Sequence, residues 1–256
     1  MSKSHDGKDG AASARPRSCD GEEGAASARP RFHGRRSGKA LRRNALGLID
    51  NLLPRLAIAV PEPTDRLDLL SLFPRPVREV WLEVGFGGGE HLAHLAEAHP
   101  DIGLIGGEVF RNGIASLLGH VQTRGLDNVR IFPEDVRLLL PALPESALTR
   151  VFVLFPDPWP KTRHAERRFV CPDNLDAIAH ILSDGGELRV ASDDPIYVDW
   201  ATKHLDAHPA FEKVLATTQR ETLPADWPAT RYEQKCLAGR APTFFLYRRR
   251  LRQLPM

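Results

Sequence analysis

No run in this chain of 256 residues approaches the roughly 18 to 20 apolar residues of a membrane-spanning helix. The first 40 residues are polar and arginine-rich, and they lack the apolar segment of a secretory signal peptide. Cysteine is scarce, and the three present are unclustered, which argues against a disulfide framework and against a zinc site. We therefore expect a soluble protein of the reducing cytoplasm that binds neither a metal ion nor a membrane.

Acidic residues are scarce at the N-terminus, although the net charge of the whole chain is only +2. Residues 1–43 carry 11 basic and five acidic side chains and include two 14-residue repeats, Asp6–Cys19 and Asp20–His33. Repeats of Gly, Ala, Ser, Arg and Pro have no apolar periodicity, so burial cannot offset the entropy cost of ordering them. We predict a disordered basic tail over residues 1–43, either solvated or in contact with nucleic acid, and a folded domain over residues 44–256.

Strands and helices alternate through the predicted domain, which begins with an amphipathic helix that starts near Ala45 and ends before Pro61. Such alternation predicts an α/β fold with a doubly wound, mostly parallel sheet. The last two strands have no helix between them, which predicts an antiparallel strand at the end. The seven predicted strands are residues 79–84, 102–105, 129–132, 151–155, 187–191, 211–217 and 242–247.

A glycine-rich turn, Leu82–Glu90, connects the first predicted strand to the helix that follows it. Gly85 and Gly87 fit a dinucleotide-binding fingerprint, but Glu90 stands where that fingerprint has its last glycine. The carboxylate of Glu83, inside the strand, would repel a pyrophosphate and attract a cation such as the sulfonium of S-adenosylmethionine. The turn alone is equally explained as a structural feature, whereas the carboxylate favours a methyl donor over a dinucleotide.

Two further carboxylates follow the second and third predicted strands. Glu108 stands where an acidic side chain in such sheets receives ribose hydroxyls, and Asp135 is placed to meet an adenine edge. Each residue alone is also explained as a helix N-cap or as a solvated charge. Together with Glu83 they form three carboxylates at successive strand ends, which favours a methyl-donor pocket.

A proline-rich loop with the sequence FPDPWP, residues 155–160, follows the fourth strand and leads into a basic segment. Proline fixes its own φ and biases the preceding residue towards an extended conformation, so the loop would hold Asp157 and Trp159 in place. Cations for phosphates beside an aromatic ring for a base are the combination expected of an RNA-binding loop. The four cations are Lys161, Arg163, Arg167 and Arg168. A proline-rich turn before a charged helix is the structural alternative.

These motifs resemble those of the bacterial tRNA (guanine-N7)-methyltransferases, a family of class I S-adenosylmethionine-dependent enzymes. The resemblance extends from about Phe32 to Tyr247 and rests on RFHGRRSGK, LEVGFGGGEHL, FPDPWPKTRHAERRFV, ASDDPIYVDW and TRYEQK. It implies the class I methyltransferase (Rossmann-like) sheet and a cytoplasmic enzyme that methylates N7 of a guanine in the tRNA variable loop. S-adenosyl-L-methionine would be the cofactor and tRNA the partner, and the protein could be a monomer or a homodimer.

The resemblance also implies roles for individual residues. Its cofactor-site residues are Glu83, Gly85, Gly87, Glu108, Asp135 and Asp157. Its tRNA or guanine contacts are Lys161, Asp193, Thr230, Arg231, Tyr232 and Glu233. Residues 109–113 match the family only loosely, so the cofactor contacts of that segment stay open.

Structural alternatives remain open for several of these residues. Asp193 lies in an Asp-Asp-Pro sequence that could cap the following helix, and Thr230 with Glu233 fits a capping box. His91 and His94 have no third candidate ligand, so we expect both on the solvent side of a helix rather than at a metal.

Guanine N7 carries a lone pair and no proton, so its methylation requires no general base. We therefore expect Asp157 to provide negative charge at the purine, or to accept a hydrogen bond from it, as the principal catalytic residue. Alternatives are methylation of another RNA, or an inactive RNA-binding adaptor. A nicotinamide oxidoreductase would share the fold, but the missing glycine and the Glu83 carboxylate argue against it.

Overall fold

The computed structural model describes residues 32–60, 62, 66–230, 233 and 239–253. Over these ranges the chain forms six α-helices and seven strands. The helices are α1 (Arg43–Asn51), α2 (Leu53–Leu56), α3 (Glu90–Ala98), α4 (Arg111–Arg124), α5 (Pro172–Ile181) and α6 (Pro195–Ala207). The strands are β1 (Glu79–Val84), β2 (Ile102–Gly107), β3 (Val129–Phe132), β4 (Leu148–Leu154), β5 (Leu182–Ser192), β6 (Phe211–Thr217) and β7 (Thr243–Arg249).

The seven strands form one sheet in the order β3-β2-β1-β4-β5-β7-β6. The pairs β1–β2, β2–β3, β1–β4 and β4–β5 are parallel, and β7 is antiparallel to both of its neighbours. The predicted mostly parallel sheet and its late antiparallel strand are therefore confirmed. After β3 the chain returns to the other side of β1, so the strand order reverses between β1 and β4. Sheets of this type bind ligands in the cleft at such a reversal, beyond the carboxyl ends of the strands.

The core consists of two apolar layers, one on each face of the sheet. Successive side chains of a strand point to opposite faces, and the pair Trp81 and Leu82 of β1 illustrates this division. Leu82 packs in the layer that includes helices α5 and α6, and Trp81 packs in the layer that includes α3 and α4. Among the described residues, none of the helices combines the length and apolar character needed to cross a membrane.

Several element boundaries differ from those that the sequence predicts. The first predicted helix is two helices, because Pro54 lies at the start of α2 and has no backbone N–H to continue the hydrogen-bond ladder. Strand β5 begins at Leu182 rather than at residue 187, and it runs through Gly185, whose φ of 78° is readily available only to glycine. Strand β4 begins three residues earlier than predicted, at Leu148.

Most of the expected tail, residues 1–31, lies outside the described residues, so its predicted disorder stays a prediction. The segment from Phe32 onward is described, and part of it packs against the start of α4. Gly38 N donates to Oδ1 of Asn112 at 2.8 Å, and Nδ2 of Asn112 donates to the carbonyl of Lys39 at 2.8 Å. Arg36 adds an ion pair with Glu134.

Candidate functional site

A cavity of about 690 Å³ opens beyond the carboxyl ends of β1, β2, β3 and β4, where the strand order reverses. The sequence-predicted residues that line it are Gly85, Gly87, Glu108, Asp135 and Asp157. The cavity also takes residues from the N-terminal segment, from the proline-rich loop and from the basic segment that follows it: Phe32, His33, Gly34, Arg35, Trp159 and Arg167. The structure thus brings five of the predicted cofactor residues to one place.

The glycine-rich turn forms one wall of this cavity. Gly85 and Gly87 have φ of 68° and 56°, and a Cβ added to either would meet no atom within 4 Å. A side chain would therefore project into open space, and its absence lets a ligand approach the backbone. Gly113 of α4 packs closely under the turn, because a Cβ there would lie 2.1 Å from the carbonyl oxygen of Gly87.

Glu108 connects the end of β2 to the glycine-rich turn. Its Oε2 accepts a hydrogen bond from Gly87 N at 2.9 Å, and its Oε1 accepts from Val109 N and Phe110 N, each at 2.8 Å. Burial raises the pKa of the Glu108 carboxyl and the charge of Asp157 raises it further, although the three N–H groups act in the opposite direction. The carboxylate therefore fixes the turn while lining the cavity, and it retains lone pairs that a ligand hydroxyl could use.

Asp135 combines the structural role and the site role that the sequence left open. Its Oδ1 accepts from Arg137 N at 3.0 Å and so caps the short 3-10 helix Val136–Leu138. Its carboxylate also pairs with the guanidinium of Arg137, with Nη2 and Oδ2 2.6 Å apart. Both residues line the cavity. The cap and the ion pair thus hold an oriented carboxylate in the cavity wall.

Glu83 does not line the cavity, in contrast to the other predicted carboxylates. Its side chain is 4% exposed, and its Oε2 lies 2.9 Å from Nδ1 of His91, the second residue of α3. The expectation that His91 faces solvent is wrong, because the ring is buried and packs edge-on against Phe152 with centroids 5.2 Å apart. His94 is exposed as expected. A buried carboxylate requires a partner, and His91 supplies it.

Asp157 lines both the large cavity and a smaller one of about 400 Å³, and the proline-rich loop contributes residues to each. The smaller cavity also contains Asp193, Asp194 and Ser192 at the carboxyl end of β5. Capping of α6 falls to Asp194, whose Oδ1 accepts from Tyr197 N at 3.0 Å. Asp193 is one of three carboxylates that line the smaller cavity, and Arg240 lines it as well. Burial, with a contribution from Asp194, raises the pKa of Asp193.

The basic segment after the loop is only partly the exposed set of cations that the sequence predicts. Lys161 is exposed just before the 3-10 helix Thr162–Arg167, Arg163 is exposed on it, and neither lines either of the two cavities. Arg167 lies 5.1 Å from the ring centroid of Trp159. Arg168 contradicts the expectation, because it is 4% exposed and its guanidinium donates to the backbone of the loop. Three of the four predicted cations are therefore at least partly exposed.

Thr230 and Glu233 form the capping box that the sequence allowed. Glu233 N donates to Oγ1 of Thr230 at 3.1 Å, and Thr230 N donates to Oε2 of Glu233 at 3.4 Å. Glu233 also pairs with Arg220. The remaining two residues of this predicted substrate motif, Arg231 and Tyr232, lie outside the described residues.

The N-terminal segment is the part of the site that sequence reasoning did not place. Phe32 to Arg35 line the large cavity, and His33 contacts the Trp159 ring with centroids 6.3 Å apart. The RFHGRRSGK motif identified this segment as basic and as part of the family pattern, but its contact with the cavity depends on partners more than 70 residues away, such as Asn112. Across the described ranges, no group of three or more His, Cys, Asp or Glu side chains is arranged to hold a metal ion.

The fold and the cavity together define a class I S-adenosylmethionine-dependent methyltransferase. The sheet has the single antiparallel strand of that class, and the cavity has features that suit an uncharged nucleoside with a cationic sulfur. These features are an open glycine turn at the end of β1 and carboxylates at the ends of β2, β3 and β4.

The family follows from comparison with known proteins. The model of a family described as "Putative methyltransferase" matches residues 77–246. A tRNA (guanine-N(7)-)-methyltransferase of Paramagnetospirillum magneticum is 76% identical over 222 residues, which cover 86% of this chain and 93% of the relative. A Rhodospirillum rubrum protein of the same name is 54% identical over 225 residues, 86% of this chain and 88% of the relative. The chain therefore belongs to the tRNA (guanine-N7)-methyltransferase family.

The solved structures agree with the fold. The crystal structure of the 16S rRNA methyltransferase KamB matches with a TM-score of 0.51 at 14% identity, covering 68% of this chain and 89% of that chain. At this identity the match supports the architecture of the sheet alone.

Proposed function

We propose that the protein transfers the methyl group of S-adenosyl-L-methionine to N7 of a guanine in the variable loop of tRNA. The observation that carries the proposal is the position of Asp157, which lines two cavities that share the proline-rich loop. The larger cavity suits the methyl donor and the smaller acidic cavity suits the acceptor base. The names of the relatives at 76% and 54% identity supply the acceptor atom and the class of RNA.

The larger cavity offers a distinct group for each part of the donor. Glu108 would accept hydrogen bonds from the ribose hydroxyls, because it lines the cavity while backbone N–H groups hold its carboxylate. Asp135, fixed by Arg137, would accept from the adenine edge. Gly85 and Gly87 would admit the donor close to the backbone. Glu83 does not line the cavity, so it would not contact the donor directly. Its negative charge would instead attract the positively charged donor from within β1.

The smaller cavity suits the guanine. The Watson–Crick edge of guanine carries N–H donors at N1 and N2, and carboxylates are strong acceptors for such groups. Asp193 would accept hydrogen bonds from these groups, and its presence in the lining of this cavity together with Asp157 supports that role. Lys161, exposed at the end of the loop, would contact tRNA phosphate. We assign Thr230, Arg231, Tyr232 and Glu233 to tRNA contact as well, with the capping box orienting the first and last of them.

The reaction requires the protein to position the donor and the guanine and to stabilise charge, and it requires no transfer of a proton. S-adenosylmethionine supplies an electrophilic methyl group on a positively charged sulfur. Guanine N7 has a lone pair and no proton, so Asp157 has no proton to remove from the attacking atom. As the methyl group moves, positive charge shifts to the purine, and the Asp157 carboxylate, which lines both cavities, would stabilise it. Holding the reactants in line can contribute about 7–11 kcal/mol in favourable cases.

We further propose that the protein works in the cytoplasm, where tRNA is modified, and that the folded domain comprises residues 44–256 together with the docked segment from Phe32. Monomer and homodimer are both compatible with a site built from one chain.

The proposal is tested by incubating the protein with methyl-labelled S-adenosylmethionine and unmodified tRNA, followed by digestion and nucleoside analysis. We expect the label in N7-methylguanosine. Label in another nucleoside would support methyltransferase activity but would show that the acceptor is not guanine N7. An absence of label, with donor binding intact, would favour the RNA-binding adaptor.

A further inference from the structure

The loop that carries Asp157 and Trp159 has a backbone that depends on support from outside the loop. Phe155 and Trp159 have φ of 51° and 42°, which non-glycine residues adopt only at an energetic cost. The loop also has few N–H groups with which to hold itself, because three of its residues are proline. These residues are Pro156, Pro158 and Pro160.

The support comes from a buried arginine eight residues beyond the end of the loop. Nε of Arg168 donates to the carbonyl oxygen of Pro158, and its Nη2 donates to that of Trp159, each at 2.9 Å. The guanidinium is rigid and planar, so its hydrogen bonds to two successive carbonyls restrain both peptide units that flank Trp159. These peptide units join Pro158, the residue after Asp157, to Trp159 and Trp159 to Pro160.

The same guanidinium connects the loop to the body of the domain. Its central carbon lies 4.7 Å from the ring centroid of Trp200 in α6. Trp200 in turn donates from Nε1 to the carbonyl oxygen of Val170 and packs against His204 with ring centroids 4.2 Å apart. The loop is therefore connected, through Arg168 and Trp200, to helix α6.

We propose that Arg168 is a positioning residue that sets Asp157 and Trp159 in the geometry required for methyl transfer. This inference rests on the proposed function, because that function gives Asp157 its role. A direct contact between Arg168 and RNA phosphate is inconsistent with its 4% exposure. The remaining alternative is that Arg168 contributes only to the overall stability of the domain.

Arg130 provides a matched control for that alternative. Its guanidinium also donates to backbone carbonyls, those of Leu72 and Val129, and it lies 5.2 Å from the ring centroid of Phe73. Arg130 lines neither cavity. Replacing Arg130 by methionine therefore removes the same kinds of contact from a part of the fold that does not include the loop.

The kinetic test compares Arg168→Met, Arg168→Lys and Arg130→Met, with the folded fraction of each variant measured by thermal unfolding. We expect kcat of Arg168→Met, corrected for that fraction, to fall about 100-fold, as for a misplacement of ~1 Å at a reacting centre. Arg168→Lys should recover part of the rate, because an ammonium can donate to one of the two carbonyls. Arg130→Met should retain the wild-type kcat. Equal losses of kcat in both methionine variants, or a loss explained by unfolding, would overturn the proposal.

A second readout does not depend on activity and so separates this inference from the proposed function. Quenching of tryptophan fluorescence by acrylamide is measured for wild type, Arg168→Met and Arg130→Met, each with and without Trp159→Phe, so that the difference isolates Trp159. We expect the Trp159 signal to become more accessible to acrylamide in Arg168→Met and to stay unchanged in Arg130→Met. An unchanged Trp159 signal in Arg168→Met would overturn the positioning role even if the wild-type protein methylates tRNA.

Discussion

Replacing Glu108 by glutamine tests the donor cavity at its most connected residue. Two oxygens of the carboxylate accept three backbone N–H groups, from Gly87, Val109 and Phe110. An amide has only one oxygen, so one side of the Glu108→Gln side chain must present NH₂ to an N–H donor. The orientation that loses least keeps the bonds to Val109 and Phe110 and breaks the one to Gly87, which releases the glycine-rich turn.

The size of the effect follows from that single lost bond. A hydrogen bond to a charged group contributes about 1.5–3 kcal/mol. If the turn must hold its present conformation to receive the donor, the loss appears in the donor affinity. At about 1.4 kcal/mol per tenfold change, the Kd for S-adenosylmethionine should rise by about 10- to 100-fold. Loss of an acceptor for the ribose hydroxyls would add to this value.

Isothermal titration of the donor without tRNA measures this change directly, and Glu97→Gln on the exposed surface of α3 is the control. The dependence on pH gives a second test. Because burial raises the pKa of Glu108, the carboxylate is protonated at a higher pH than an ordinary glutamate. Donor affinity of the wild-type protein should therefore fall as the pH drops through that raised pKa, and the glutamine variant should lack this decrease. Unchanged affinity in Glu108→Gln, or an unchanged pH profile, would refute the assigned role.

Four further predictions follow from the same geometry. Asp157→Asn should lower kcat without creating a new pH dependence, since no proton transfer is involved, and an unchanged kcat in a tRNA methylation assay would contradict this. Lys161→Ala should raise the KM for tRNA and reduce the slope of log affinity against log salt by about one unit, so an unchanged salt slope would argue against a phosphate contact. Asn112→Ala should weaken the docking of residues 36–39 and raise the Kd for the donor, with proteolysis after Arg36 as an independent readout; equal proteolysis of variant and wild type would contradict the docking role. Deletion of residues 1–30 should weaken tRNA affinity and flatten its salt dependence, and identical salt curves would show that this segment is merely solvated.

Secondary structure was most predictable where the local pattern is unambiguous. The strands β1, β3 and β6 begin and end where the sequence predicts, because each is a short apolar or β-rich run bounded by turn residues. The start of β5 was missed because Leu182 to Gly186 includes two glycines and polar residues. Pairing of Leu182 with Leu148 of β4 is a tertiary interaction, and no local pattern reports it.

The candidate site also has some features that could be predicted from the sequence and others that could not. Carboxylates at strand ends could be predicted, because the parallel sheet brings those ends to one edge, and Glu108, Asp135 and Asp157 do line one cavity. The burial of charged and polar side chains could not be predicted from the sequence. Arg168 is indistinguishable by sequence from the exposed cations beside it, and its inward orientation depends on Trp200, 32 residues later. His91 is buried because it meets Glu83 across the turn, a contact that helical periodicity does not reveal.

The central claim is that this protein methylates guanine N7 in the variable loop of tRNA. The most direct test maps the product on full-length tRNA. N7-methylguanosine is reduced with borohydride and the chain is then cleaved with aniline, so a labelled tRNA reveals the modified position by fragment length. The account predicts one new cleavage, at a guanine of the variable loop, which depends on both the protein and S-adenosylmethionine and is strongly reduced with Asp157→Asn. Cleavage at another position, or no cleavage despite methyl incorporation, would contradict it.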